Sequence, residues 1–165
     1  MRVYLMRQAA PEDDHATMPS AQEHPEIPPL ELLKARAVAQ GLARLGWFGG
    51  HLLFSPRPLA AQTAEILAQV LNVPAGRLRR SEALQPEGRL EHLLDELSRL
   101  ETNQVLCVGH SPHLDGVVAH LLGWAAPRTA LKKAGVACLE WEPRAPGEAR
   151  LVWLCPPKIL RRLGR

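Results

Sequence analysis

Short apolar runs alternate with longer stretches of helical period along this chain. Residues 1–6, with Val3, Tyr4, Leu5 and Met6 in succession, read as a first strand, and the polar, proline-studded stretch from Pro11 to Pro29 reads as a long loop. Leu30, Leu33, Ala37, Val38 and Leu42 then form the expected apolar stripe of a first helix, which Gly46 stops. Leu52-Leu53-Phe54 predicts a short buried strand. Pro58 opens a second helix with Ala61, Ile66, Leu67 and Val70 inward, since proline in the first turn costs no helix hydrogen bond.

Residues 77–84 read as a less regular strand or loop, and Leu90, Leu93, Leu94 and Leu97 mark a third helix. Residues 104–108 form the clearest buried parallel strand, followed by a helix from Pro112 through Val117, Val118, Leu121 and Leu122 to Gly123. The last third changes character. Residues 135–142 and 149–154 are both strand-like, joined by a hairpin over 143–147, and the tail from Pro156 reads as a terminal helix covering the core. Strands alternating with helices predict an α/β domain with a mainly parallel sheet.

At 165 residues the chain suits one domain with a sizeable core. A formal charge of +3, mostly from arginine, permits an anionic ligand without pointing to nucleic acid. Cys107, Cys138 and Cys155 lie in apolar runs at spacings that match neither a disulfide framework nor a zinc site, so buried thiols are expected. No run approaches the length of a membrane span, and the chain opens directly on a strand, so it reads as cytoplasmic.

Ligands of doubly wound sheets bind beyond the carboxyl ends of the parallel strands. Arg7, Arg57 and His110 each stand just after a strand-like run, so residues distant in sequence are expected to converge on one edge of the sheet. Two guanidinium forks match phosphate oxygens. The helices opening near Pro58 and Pro112 aim further N–H groups at the same edge. There is no Gly-x-x-x-x-Gly-Lys-Ser/Thr loop, and no cluster of Cys, His and carboxylate with metal-ligand spacing, so neither metal nor cofactor is expected.

In order, the chain reads Leu5-Met6-Arg7-Gln8-Ala9, then Ser55-Pro56-Arg57 followed by Gln62-Thr63, then Val108-Gly109-His110-Ser111. This series resembles the histidine phosphatase superfamily, in particular its small SixA-like phosphohistidine phosphatases. The resemblance spans residues 1–165 as one domain. It implies a three-layer α/β/α sandwich of the phosphoglycerate-mutase type, with an antiparallel part near the C-terminus. It also implies that Arg7 and Arg57 clamp phosphate, that His110 contacts the phosphoryl oxygens, and that Ser111 lies where many relatives carry asparagine. Glu82 falls where the family often has an acid, as a candidate proton donor or supporting partner.

In that family the first motif reads Arg-His-Gly and its histidine is the nucleophile. Here the position is Gln8, followed by Ala9 in place of glycine. A neutral imidazole offers a lone pair near pH 7, whereas an amide nitrogen delocalises its own into the carbonyl. Gln8 can still donate a hydrogen bond to a phosphate oxygen. The expectation is therefore binding of phosphate or a phosphorylated protein side chain without a phosphoenzyme. Two other readings compete with it. One is an active phosphatase that uses water or another histidine, such as His15 or His113, and the other is an interaction domain with an idle pocket.

Overall fold

The strand β1 (Arg2–Arg7) is buried on both faces, with Val3, Tyr4, Leu5 and Met6 all at 0% exposure, which is why its sequence is continuously apolar. Its side chains alternate with period two, Val3 and Leu5 entering one core and Tyr4 and Met6 the other. The computed structural model describes residues 1–11, 26–143 and 149–165. Among these residues a sheet of six strands runs in the order β3-β2-β4-β1-β5-β6, where β2 is His51–Phe54, β3 Leu78–Arg80, β4 Gln104–Gly109, β5 Val136–Glu140 and β6 Arg150–Cys155.

Strands β1 to β4 are mutually parallel, while β5 pairs antiparallel with β1 and β6 antiparallel with β5. Helices cover both faces. On the Tyr4 and Met6 side lie α1 (Pro29–Arg44), α2 (Pro58–Val70) and α5 (Pro157–Leu163); on the Val3 and Leu5 side lie α3 (Leu90–Ser98) and α4 (His113–Leu121). This is the expected three-layer α/β/α sandwich with an antiparallel C-terminal part. The connections through α1 and α2 lead one way from β1, and those through α3 and α4 lead back past it. That reversal leaves a crevice at the carboxyl ends of β1 and β4.

Gly46, at φ 94°, ends α1 by donating its N–H to the Ala43 carbonyl at 3.1 Å, a left-handed stop that suits glycine. The inner face of α1 differs from the expected stripe. Ala35, Val38, Ala39 and Leu42 are buried, whereas Leu30 and Leu33 point out. The cause is α5, which crosses so closely that a Cβ on Gly41 would lie 2.1 Å from the Leu160 carbonyl oxygen. A small-residue face packs there, and Leu160 itself is fully buried. The inner face of α2 likewise falls on Ala60, Thr63, Ala64, Ile66 and Leu67 rather than on Ala61 and Val70.

The three cysteines are free and buried. Burial raises the Cys107 thiol strongly and pushes the Cys138 thiol up to about 11. Among the described residues no helix is long and apolar enough to cross a membrane. Of the hairpin expected over 143–147, residues 144–147 lie outside the described residues, as does most of the expected loop, 12–25, including His15.

Candidate functional site

Three adjacent strands, β2, β4 and β1, end together. Arg7, the last residue of β1, sits opposite Gly109, the last of β4, and the Gln8 N–H donates to the Gly109 carbonyl at 2.8 Å. Ser55 follows β2 and donates its N–H to Val108 at 2.9 Å. The residues just past these ends, Gln8, Ser55 to Arg57, and His110, are thereby gathered at one edge. His110 Nε2 lies 2.9 Å from the Ser55 hydroxyl, and that same oxygen accepts the Arg57 N–H at 3.3 Å. Ser55 is fully buried, so it fixes the imidazole through Nε2.

Arg7 is held from behind by a hydrogen bond from Nη1 to the Leu131 carbonyl at 3.0 Å. Arg57 reaches the Glu87 carboxylate at 2.9 Å, and both side chains are largely in solvent. The His110 imidazole is pushed below the ordinary histidine range by burial first, then by Arg57, His113 and Arg7, with Glu87 pulling the other way. Its neutral form is therefore favoured at pH 7. A site with two guanidinium groups beside a neutral, anchored imidazole can receive an oxyanion and protonate as it does so.

No family model and no curated protein sequence matches the chain. Solved structures do match. A protein histidine phosphatase SixA in complex with tungstate superposes with a TM-score of 0.82 at 22% identity, covering 97% of this chain and 99% of that one. The fold is that of the SixA histidine phosphatases. A candidate phosphohistidine phosphatase SixA from Agrobacterium tumefaciens matches at 20% identity and TM-score 0.73, over 94% of this chain and 97% of its own. A histidine-to-alanine mutant of phosphoserine phosphatase from Entamoeba histolytica, in complex with phosphoserine, matches at 15% identity and TM-score 0.71, over 95% and 98%.

Within this SixA fold, Arg7, Gln8, Arg57, His110 and Ser111 all lie at the carboxyl ends of the three strands. The Gln8 Oε1 and Ser111 Oγ atoms are buried without a hydrogen-bond partner, and the pKa of the neighbouring His113 is lowered by burial, with the Gly88 backbone acting against that shift. Such atoms are costly when unpaired and mark places where a ligand or water completes the bonding. Ala9 is packed into the core at 3% exposure, with its N–H on the Thr63 hydroxyl at 3.0 Å. Its methyl group is therefore accommodated by the protein interior.

Glu82 is not brought to this cluster. Its carboxylate bonds Arg80, at 2.7 Å, and the Gln85 amide, and it is exposed. The preceding residue explains this: Ser81 turns inward, its N–H on the Phe54 carbonyl at 2.8 Å and its hydroxyl on Glu96 at 2.5 Å, so Glu82 faces out. The carboxylate that reaches Arg57, and that acts electrostatically on His110, is Glu87, a residue no sequence motif singles out. It sits in a tight turn closed by the Gly88 N–H on the Gln85 carbonyl at 2.9 Å, where a Cβ on Gly88 would lie 2.2 Å from the Ala83 oxygen. Glycine one residue after a turn carboxylate was the available signal. Ser55 belongs to the Ser55-Pro56-Arg57 motif, but its bond to His110 follows only from the tertiary structure.

Proposed function

We propose that this chain is a SixA-like member of the histidine phosphatase superfamily that binds phosphate or a phosphorylated protein side chain at Arg7, Arg57, His110 and Ser111, and that its catalysis is degenerate because Gln8 stands where the nucleophile belongs. The observation that carries this reading is Gln8 itself, locked to Gly109 at the end of β1 beside Arg7, with its side-chain carbonyl oxygen buried and unpaired. Rotating the amide exchanges that oxygen for N–H donors, which suits an anion. An amide has no basic lone pair with which to attack phosphorus, so the covalent step that an imidazole performs is missing.

Two relatives support binding by this fold. One SixA structure holds tungstate, and a phosphoserine phosphatase that has exchanged a histidine for alanine still holds phosphoserine. A second reading, turnover through another histidine, draws on His113, which lies close enough to act electrostatically on His110. Thermal denaturation with phosphate, vanadate and tungstate tests the pocket. A rise in Tm that Arg57→Ala abolishes is expected, and no rise with any of the three anions leaves the idle-pocket reading. Phosphohistidine hydrolysis then tests turnover: rapid hydrolysis lost in His113→Ala would replace the degenerate reading with the second one.

A further inference from the structure

The outer face of α1 carries two largely exposed leucines: Leu30 is 62% exposed and Leu33 65%. They form the apolar floor of a groove of about 460 Å³ whose other wall is α5, lined by Lys158, Arg161, Arg162 and Arg165. Among the described residues none of these four cations has a carboxylate partner. Arg161 and Arg162, in the last turn of α5, complement the helix dipole, but Lys158 in its first turn opposes it. A dipole argument therefore does not account for the set.

The groove also points somewhere. A second, smaller cavity shares Lys34 and Arg161 with it and is lined at its other end by Ala9 and Ala10, which directly follow Gln8. From these observations we infer that the groove between α1 and α5 docks an acidic amphipathic segment of a partner protein, apolar residues on the leucines and carboxylates on the α5 cations, beside the end of β1. The inference rests on the proposed function in one respect, that the segment belongs to the protein whose phosphorylated side chain the site receives. Charge and shape select this partner class. Nucleic acid would use the cations and gain nothing from the leucines, and a lipid surface needs apolar groups that protrude, whereas these lie in a concavity.

The test uses an unphosphorylated, fluorescein-labelled helical peptide of alternating Glu and Leu faces, with a Lys/Leu peptide of the same pattern and anionic phosphatidylglycerol vesicles as alternatives. Binding of the acidic peptide alone is expected, weakening with added salt. It should fall about tenfold or more in Lys158→Glu/Arg162→Glu and also in Leu33→Ser, which leaves α5 untouched. Tungstate stabilisation, measured on the same samples, stays unchanged in these variants and reports folding and the phosphate site independently. Failure of the peptide arm with tungstate binding intact overturns the docking groove alone; loss of tungstate binding in the unaltered protein overturns the proposed function instead. Equal or tighter binding to vesicles, peptide binding unaffected by either variant, or self-association that the same variants abolish would each overturn the inference.

Discussion

The Arg57 guanidinium donates to the Glu87 carboxylate at 2.9 Å, so one of the two forks at the strand ends is already engaged before an anion arrives. An anion must share or displace that carboxylate. The pair is exposed, at 52% and 62%, and an exposed ion pair is weak. Glu87→Gln removes the competing charge and is expected to tighten sulfate or tungstate binding by a small factor, about two- to fivefold. Isothermal titration of both proteins measures it. Weaker binding in the variant would show that Glu87 holds Arg57 in its receiving position.

His110 should make anion binding depend on pH. Burial, then Arg57 and His113, lower its pKa in the folded protein. Without ligand, its contribution to stability is present above the unfolded value of about 6.5 and is lost as pH falls through the depressed folded value. Bound sulfate, dianionic throughout, favours the imidazolium, so binding takes up a proton and sulfate affinity rises as pH falls. The limit is about tenfold per pH unit for one proton. Sulfate titrations between about pH 7.5 and about pH 5.5 should show this slope, and His110→Gln should flatten it.

Gln8→His is expected to create phosphohistidine hydrolysis and an acid-labile phosphoenzyme. Loss of a covalent nucleophile commonly lowers kcat by a factor on the order of 10⁴ or more, so the gain should be measurable against the background. Because the Ala9 methyl is packed in the core at 3% exposure, Ala9→Gly beside it is not required. Quench-flow with labelled substrate reads both products, and a Gln8→His variant as slow as the natural protein would count against Gln8 as the position that limits turnover.

Arg7 is positioned through a relay that begins on α4. The buried Asp115 carboxylate accepts from the Thr129 hydroxyl at 2.7 Å and the Leu131 N–H at 3.0 Å, and the Leu131 carbonyl in turn receives Arg7. Asp115→Ala should lower stability by about 2 kcal/mol or more, the loss of bonds to a buried charged acceptor. It should also weaken tungstate binding, because Arg7 loses its anchored position. Chemical denaturation and titration separate the two effects; full tungstate affinity in a destabilised variant would rule out the relay.

Much of this was legible in the residues because strands buried on both faces leave a strong mark. Val3 to Met6 and Val105 to Val108 are apolar without interruption, and in a parallel sheet the residue after such a run stands at the ligand edge. Arg7, Gln8, Arg57 and His110 could therefore be located from sequence, as could the antiparallel character of the last two strands. Periodicity was less informative on α1. Leu30 and Leu33 have helical spacing with the core residues, yet what lies inside depends on where α5 crosses, and that crossing is set by the Gly41 approach to Leu160. The choice between Glu82 and Glu87 was likewise tertiary: the Ser81 bonds to Phe54 and Glu96 turn one carboxylate outward, and the tight turn at Gly88 carries the other to Arg57. Local sequence sets which residues end a buried strand, whereas the direction of a loop side chain follows from contacts with elements distant in the chain.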